Sequence, residues 1–203
     1  MKNIVPYTKV RDQLCTLTAI NCINRKFPYN LIGHTAVLYK DRLTDQLMLL
    51  ESTTLNKSTG VSGVQLTPFG IWLARYPGKV YARVPKFGDS SNVNLGHIDT
   101  LAEKFIRENL GTSYPDLKTW SGKMKLALSA LDFNLFGKDW LTYTGDDEGI
   151  FCTMLFVKLL QACECFQMGC NPQEYEPDDI RGNSESFERK LQGILYLPEV
   201  QLK

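Results

Sequence analysis

Residues 33–52, GHTAVLYKDRLTDQLMLLES, decide the fold because two apolar runs flank a polar turn. This pattern predicts a β-hairpin with a longer loop. His34 opens the first run and Glu51 closes the second, at equal distances from the bond between Arg42 and Leu43. A turn centred on that bond places His34 directly opposite Glu51, with their Cβ atoms about 5 Å apart. An imidazole and a carboxylate then lie together, as a general base and the acid that orients it would.

The composition is that of an ordinary globular protein. The chain has 203 residues, of which 43% are hydrophobic and 22% charged, and its net charge is +1. This charge gives no indication of a nucleic-acid partner. No apolar run reaches the roughly 20 residues that a membrane-spanning helix needs. Residues 1–14 show no secretion signal, so we expect a cytoplasmic protein. The lack of such a signal is also compatible with a phage or virus protein that reaches a cell wall after lysis.

Cysteine and histidine usage narrows the possible chemistry. In a cytoplasmic chain of this size the cysteines are expected to be free thiols. No histidine and no fourth thiol lies near the cluster at positions 163, 165 and 170, which argues against a zinc site. A catalytic imidazole must be His34 or His97, because the chain has only 2 histidines. The 6 cysteines are Cys15, Cys22, Cys152, Cys163, Cys165 and Cys170.

Periodicity predicts further elements along the chain. Alternating or short apolar runs predict strands at residues 63–68 and 79–84. Helical spacing predicts a helix at residues 99–110, with a capping box from Thr100 to Glu103 and a stop at Gly111. Additional helices are predicted at residues 120–131 and, more strongly apolar, at residues 150–166.

Cys152 is the candidate nucleophile because it falls in the first turn of the last predicted helix. Unpaired N–H groups and the positive end of the helix dipole favour a thiolate there. The same N–H groups can hold the oxyanion that forms when a carbonyl is attacked. With His34 as base and Glu51 orienting it, a Cys-His-Glu triad is complete. The acidic residues 146–148 oppose this, because nearby negative charge raises a thiol pKa.

Each of the three residues also has a purely structural explanation. Cysteines in apolar helices are usually packing residues. A histidine on an apolar strand is commonly a satisfied core or edge residue, and a carboxylate that ends a buried strand needs a partner whatever its role. The hairpin predicts the pair of His34 with Glu51 independently of Cys152, so the three residues together carry more weight than each alone.

Several short motifs follow one another along the chain. They are Gly-His-Thr-Ala-Val at 33–37, Leu-Leu-Glu at 49–51, Gly-Val-Gln-Leu at 63–66, Leu-Gly-Thr-Ser-Tyr at 110–114, Phe-Cys-Thr-Met-Leu-Phe-Val at 151–157 and Pro-Asp-Asp-Ile at 177–180. In this order they resemble the permuted papain-fold hydrolases of the NlpC clan, the YiiX/YaeF-like and lecithin:retinol acyltransferase-like proteins. The first two motifs are similar to the family's histidine and glutamate strands.

The resemblance implies one α+β domain over residues 1–203, in which an antiparallel sheet packs against helices. The circularly permuted papain-like core would cover about residues 30–180, with a C-terminal extension at 181–203. The implied activity is that of a cysteine peptidase or amidase. Cys152 attacks an amide or ester, His34 acts as base and then acid, and Glu51 orients His34. The implied partner is a peptide or acyl-containing substrate, and no metal or organic cofactor is implied.

The chain departs from the family pattern after the nucleophile, where Thr153 and Met154 replace the usual Ser and Glu. This leaves open a catalytically inactive binding module on the same fold. A lipid acyltransferase or thioesterase is a further alternative, because the aromatic-rich stretch at residues 133–140 could line an acyl groove. Peptide, isopeptide, peptidoglycan and lipid ester substrates all suit the chemistry, and no sequence pattern fixes the oligomeric state.

Overall fold

The computed structural model describes residues 4–23, 34–53, 62–88, 95–114, 150–182 and 184–203. Three parts of the sequence discussed above lie outside these ranges: the helix predicted at residues 120–131, the aromatic-rich stretch at 133–140 and the acidic residues 146–148. The described chain is α+β, with an antiparallel sheet packed against helices, as predicted.

The main sheet has six strands in the order β4-β3-β2-β1-β5-β8, and each neighbouring pair is antiparallel. Strands β6 and β7 form a separate two-stranded sheet. The strands are β1 (Ala19–Ile23), β2 (His34–Lys40), β3 (Leu47–Thr53), β4 (Gly63–Pro68), β5 (Lys79–Arg83), β6 (Pro85–Phe87), β7 (Ile194–Tyr196) and β8 (Val200–Gln201). The helices are α1 (Tyr7–Val10), α2 (Phe69–Arg75), α3 (Leu95–Asn109), α4 (Cys152–Ala162) and α5 (Glu185–Glu188), with 3-10 turns at Arg11–Gln13, Pro172–Glu174 and Asp179–Arg181.

The predicted hairpin forms as β2 and β3, but its register differs from the prediction by two residues. Val37 lies opposite Leu50, and continuing this register places Glu51 across from Ala36 rather than from His34. The expectation that His34 faces Glu51 directly is therefore wrong. The two residues are diagonal neighbours, and they share a face because a shift of two residues preserves the alternation of side chains.

The turn explains this shift of register. It spans residues 41–46 and is closed by a hydrogen bond from the Asp41 N–H to the Gln46 carbonyl, so its centre falls one residue later than predicted. The Asp41 carboxylate accepts hydrogen bonds from the Leu43 N–H and the Thr44 hydroxyl. Asp45 takes a left-handed conformation with φ 56°. Asp is one of the few residues that tolerate this conformation.

Apolar side chains cover both faces of the main sheet. One face packs against α3 and α4 and includes Val37 and Leu50. The other face packs against α1 and α2 and includes Leu38 and Leu49. The alternation of β2 and β3 therefore divides one hairpin between two cores, as strand geometry requires.

Helix α3 differs from its predicted bounds mainly at the start, and helix α4 differs mainly at the end. Helix α3 begins at Leu95, so Thr100 lies inside it and the predicted capping box is wrong. The Thr100 hydroxyl instead donates to the Gly96 carbonyl one turn back. Gly111 does follow the helix, with φ 82°, as a C-terminal stop requires. Helix α4 begins at Cys152 and ends at Ala162, inside the predicted range.

The segment after α3 joins β4 to the start of α4. The Val64 N–H donates to the Thr112 carbonyl at 2.8 Å, and the Gly111 N–H donates to the Val64 carbonyl at 2.9 Å. The Ile150 N–H then donates to the Ser113 carbonyl at 3.1 Å. This backbone ladder fixes the beginning of α4 relative to the edge of the sheet.

The C-terminal residues complete the main sheet and one of its cores. Strand β8 pairs with β5, and Phe187 and Tyr196 are buried in the core that contains α4. The guanidinium of buried Arg83 donates to the Ile180 carbonyl at 2.6 Å and lies 2.9 Å from a Glu188 carboxylate oxygen. None of the described helices is long and apolar enough to cross a membrane.

Gly63 and Gly111 provide a test of the backbone ladder. Gly63 has φ 106°, and a Cβ there would lie 2.2 Å from the Thr112 carbonyl oxygen, whereas a Cβ at Gly111 would meet no atom within 4 Å. We expect Gly63→Ala to lower the free energy of unfolding by at least about 2 kcal/mol, since backbone strain and a backbone clash combine. Gly111→Ala should cost only about 1 kcal/mol, from strain alone. Urea denaturation measures both, and equal losses would contradict the ladder.

Candidate active site

The imidazole of His34 and the carboxylate of Glu51 form a hydrogen bond. His34 Nε2 lies 3.0 Å from Glu51 Oε2, and the two side chains are 19% and 5% exposed. A carboxylate this deeply buried needs a donor or a positive charge to offset its lost hydration, and the imidazole supplies one. The pair joins the first residue of β2 to β3 on the face shared by Ala36 and Leu49.

Cys152, the predicted nucleophile, is the first residue of α4. Two contacts place this helix end against the sheet. The Ser52 hydroxyl of β3 donates to the Ile150 carbonyl, and the Ser113 carbonyl accepts from the Ile150 N–H. Helix α4 itself is held by apolar contacts, since seven of its eleven residues are buried.

The surroundings of Cys152 favour the thiolate. Burial raises the pKa of this thiol, but a hydrogen bond and the charge of His34 bring the pKa down to about 7. The backbone N–H of Thr35 and the hydroxyl of Thr153 also lower it, with Thr153 Oγ1 lying 3.8 Å from the sulfur. Donors that point at a sulfur stabilise its anionic form. Thr153 stands where the family whose motifs the chain resembles usually has serine. It therefore retains a hydroxyl beside the thiol.

The imidazole is correspondingly stabilised as a cation. Burial lowers the pKa of His34, but hydrogen bonds to Cys152 and Glu51, together with their negative charges, raise it to about 10. The thiol thus loses its proton near pH 7, below the pH at which the imidazole loses its own. Between about pH 7 and 10, Cys152 and His34 form a thiolate–imidazolium pair whose cation is also held by Glu51.

The surroundings of four other cysteines favour the protonated thiol instead. Burial raises the pKa values of Cys15 and Cys22, the latter strongly, and raises those of Cys163 and Cys165 to about 12. A thiol that keeps its proton at neutral pH is a poor nucleophile. Compared with these four cysteines, Cys152 has surroundings that suit nucleophilic attack, although its helix is as apolar as a packing helix.

The start of α4 also offers donors for an oxyanion. Phe151 occupies the position before the helix in an extended conformation, and no side-chain hydrogen bond caps this helix end within the described residues. The first N–H groups of a helix have no partner inside the helix and point along the positive end of its dipole. The N–H of Cys152 is thus suited to an oxyanion that forms on a carbonyl bound to its sulfur.

The structure adds three residues around the site to which the sequence analysis assigned no role there. Cys22 of β1 lies directly opposite His34 in the strand pairing and is fully buried. Tyr76, after α2, lies close enough to Cys22 and Glu51 for their charges to affect its pKa, and Tyr114 lies close enough to Cys152 for the charge of that residue to affect its pKa. Tyr114 belongs to a motif of the family resemblance, which was a usable signal. No sequence signal pointed to Cys22 or Tyr76, because the pairing of β1 with β2 is not local.

The comparisons with known proteins do not place the chain in a family. No protein-family model matches the sequence, and no curated protein matches it significantly. Within the described residues, no cluster of three or more histidine, cysteine, aspartate or glutamate side chains could hold a metal ion.

The reactivity of Cys152 provides a test of the thiolate–imidazolium pair. We expect iodoacetamide to alkylate Cys152 with a pH midpoint near 7 in the wild type. In His34→Ala the midpoint should rise to the ordinary thiol range or above, and the rate at pH 7 should fall at least about fivefold, since the loss of thiolate outweighs its higher nucleophilicity. Mass spectrometry of each cysteine against pH measures this.

Cys170 serves as the matched control because it is also a partly exposed free thiol. Its alkylation profile should be the same in the wild type and in His34→Ala. A Cys152 profile that His34→Ala leaves unchanged would show that the imidazole does not activate this thiol.

Proposed function

We propose that this protein is a thiol hydrolase of the permuted papain-like type, which cleaves an amide or an ester with Cys152, His34 and Glu51. The observation that carries the proposal is that the His34 imidazole hydrogen-bonds the Glu51 carboxylate at 3.0 Å and lies close enough to Cys152 to bring the pKa of its thiol down to about 7. This is the arrangement that nucleophilic catalysis by a thiol requires: a nucleophile, a base and a group that orients the base.

The reaction would begin with acylation of the thiol. The Cys152 thiolate attacks the substrate carbonyl carbon, a C–S bond forms, and the carbonyl electrons move to an oxyanion near the start of α4. The oxyanion then collapses and the bond to the leaving nitrogen or oxygen breaks. The His34 imidazolium gives its proton to that leaving group. The amine or alcohol departs, and the acyl group of the substrate stays on Cys152 as a thioester.

Water would complete the cycle. His34, now neutral, takes a proton from a water molecule while the water oxygen attacks the thioester carbonyl. The second tetrahedral intermediate collapses, the C–S bond breaks, and the carboxylic acid leaves. Cys152 returns to the thiolate and His34 to the imidazolium. Glu51 keeps the ring oriented and stabilises its charge throughout.

The permuted assignment is supported by the order of the elements. The base lies on β2, its orienting carboxylate on the next strand, β3, and the nucleophile on a later helix that packs on the same sheet. That is the His, Glu, Cys order of the resembling family, and the motif at residues 110–114 supplies the segment that abuts the nucleophile helix.

An acyl-enzyme trapping experiment tests the proposal. We expect p-nitrophenyl acetate at pH 8 to acetylate Cys152, detected as a thioester by peptide mapping after acid quench. Cys152→Ala should carry no such thioester. Glu51→Gln keeps the side-chain shape but removes the charge, so acylation should slow by about tenfold or more.

Cys170→Ala is the control, and it should acylate and turn over as fast as the wild type. Acetylation spread evenly over several cysteines, or turnover that survives in Cys152→Ala, would exclude the proposed nucleophile.

A further inference from the structure

We propose that Tyr114 and Phe151 form the wall of an apolar subsite beside the Cys152 thiol, so that the group bound next to the scissile carbonyl is uncharged and apolar. This inference rests on the proposed hydrolase function and specifies the class of its substrate.

The two rings meet beside the nucleophile. Phe151 directly precedes Cys152 in the chain, and its ring packs edge-on against Tyr114, with centroids 5.4 Å apart and planes at 83°. Both side chains are partly exposed. A T-shaped pair is a favoured aromatic geometry, and it presents the flat face of one ring beside the edge of the other. Such a corner offers apolar contact area to a bound group.

The backbone holds this corner in place before any substrate binds. Tyr114 follows Ser113, whose carbonyl accepts the Ile150 N–H at 3.1 Å. Thr112 is tied in turn to Val64 of β4 at 2.8 Å. Both rings are therefore attached to segments that are hydrogen-bonded to each other and to the sheet. A preorganised subsite loses less conformational entropy on binding than a mobile one.

The electrostatics of the site also favour an uncharged group. Burial and, secondarily, the charge of Cys152 raise the pKa of Tyr114, so its ring stays neutral at physiological pH. The two rings of the wall carry no charge, and the His34 cation is already stabilised by Glu51 and the Cys152 thiolate. A carboxylate or phosphate packed against these rings would have to give up its hydration without a matching cation on the wall itself.

Substituted iodoacetamides test the subsite without knowledge of the natural substrate. The probes are iodoacetamide and its N-benzyl, N-octyl and N-(2-carboxyethyl) derivatives, each compared with its reaction with glutathione. For each probe we take the ratio of its alkylation rate to that of iodoacetamide. For the benzyl or octyl probe this ratio should be about tenfold larger with Cys152 than with glutathione, as burial of part of an apolar group allows. This increase is the gain of the probe. The carboxyethyl probe should gain nothing. A larger gain for benzyl indicates an aromatic side chain as the natural group, and a larger gain for octyl indicates a fatty acyl chain.

Tyr114→Ala should abolish the gain, which is a ratio to iodoacetamide on the same variant and is therefore independent of any change in the reactivity of the thiol itself. Tyr114→Leu is the second variant in case the alanine variant does not fold, and it should reduce the benzyl gain more than the octyl gain. Tyr175→Ala is the matched control, since Tyr175 makes the same edge-on contact, at 5.3 Å, with Phe166 beyond the other end of α4. It should keep the gain.

The outcomes separate the subsite from the proposed function. An iodoacetamide midpoint near 7 with no gain for either apolar probe would overturn the subsite and leave the hydrolase proposal standing. A gain that persists in Tyr114→Ala and Tyr114→Leu would also overturn it. A midpoint in the ordinary thiol range would instead count against the activated thiol itself.

Discussion

The hydrogen bond between His34 and Glu51 is the contact on which the candidate site depends, and the hairpin register determines whether it can form. Side chains alternate along a strand, so a slip of one residue would send one partner to the opposite face of the sheet. The observed register keeps both on one face, two positions apart along the strands, with Nε2 and Oε2 at 3.0 Å. The buried carboxylate then stabilises a cation, and the cation stabilises a thiolate.

A second constraint brings the thiol to this pair. Helix α4 is apolar enough to be held as a core helix, but apolar packing alone would not fix where its first residue lies. Polar contacts provide that placement. Ser52 and Ser113 bind the backbone of Ile150 from two directions, and the Thr35 N–H contributes to the lowered pKa of the thiol. The same strands that carry the base and its carboxylate thus also position the nucleophile.

Sequence patterns predicted those parts of the fold that depend on local chemistry. The alternation in residues 33–52 predicted the hairpin and the shared face of His34 and Glu51, and the apolar run predicted a helix with Cys152 in its first turn. The register was missed by two residues because it depends on the conformation of the turn. That turn is centred one residue later, with hydrogen bonds to the Asp41 carboxylate and a positive φ at Asp45, and an alternating pattern does not contain this information.

Contacts between distant segments were beyond the reach of such patterns. Cys22 lies opposite His34 because β1 pairs with β2, and nothing in residues 19–23 alone specifies that partner. The start of α3 was also missed. The Thr100 hydroxyl binds a carbonyl inside the helix, a role that serine and threonine can adopt instead of capping. These residues show that tertiary pairing decides what a local motif does.

The central claim is that Glu51 and Cys152 together hold the His34 imidazole as a cation. Measuring the protonation state of His34 against pH tests this claim most directly. In a His97→Gln variant His34 is the one remaining histidine, so ¹⁵N NMR of the labelled protein reports a single imidazole against pH. We expect the ring to stay protonated through pH 8.5 and to titrate near its raised pKa of about 10, with a lower midpoint in Cys152→Ala. A midpoint near the ordinary histidine value of about 6.5, unchanged by Cys152→Ala, would contradict the claim.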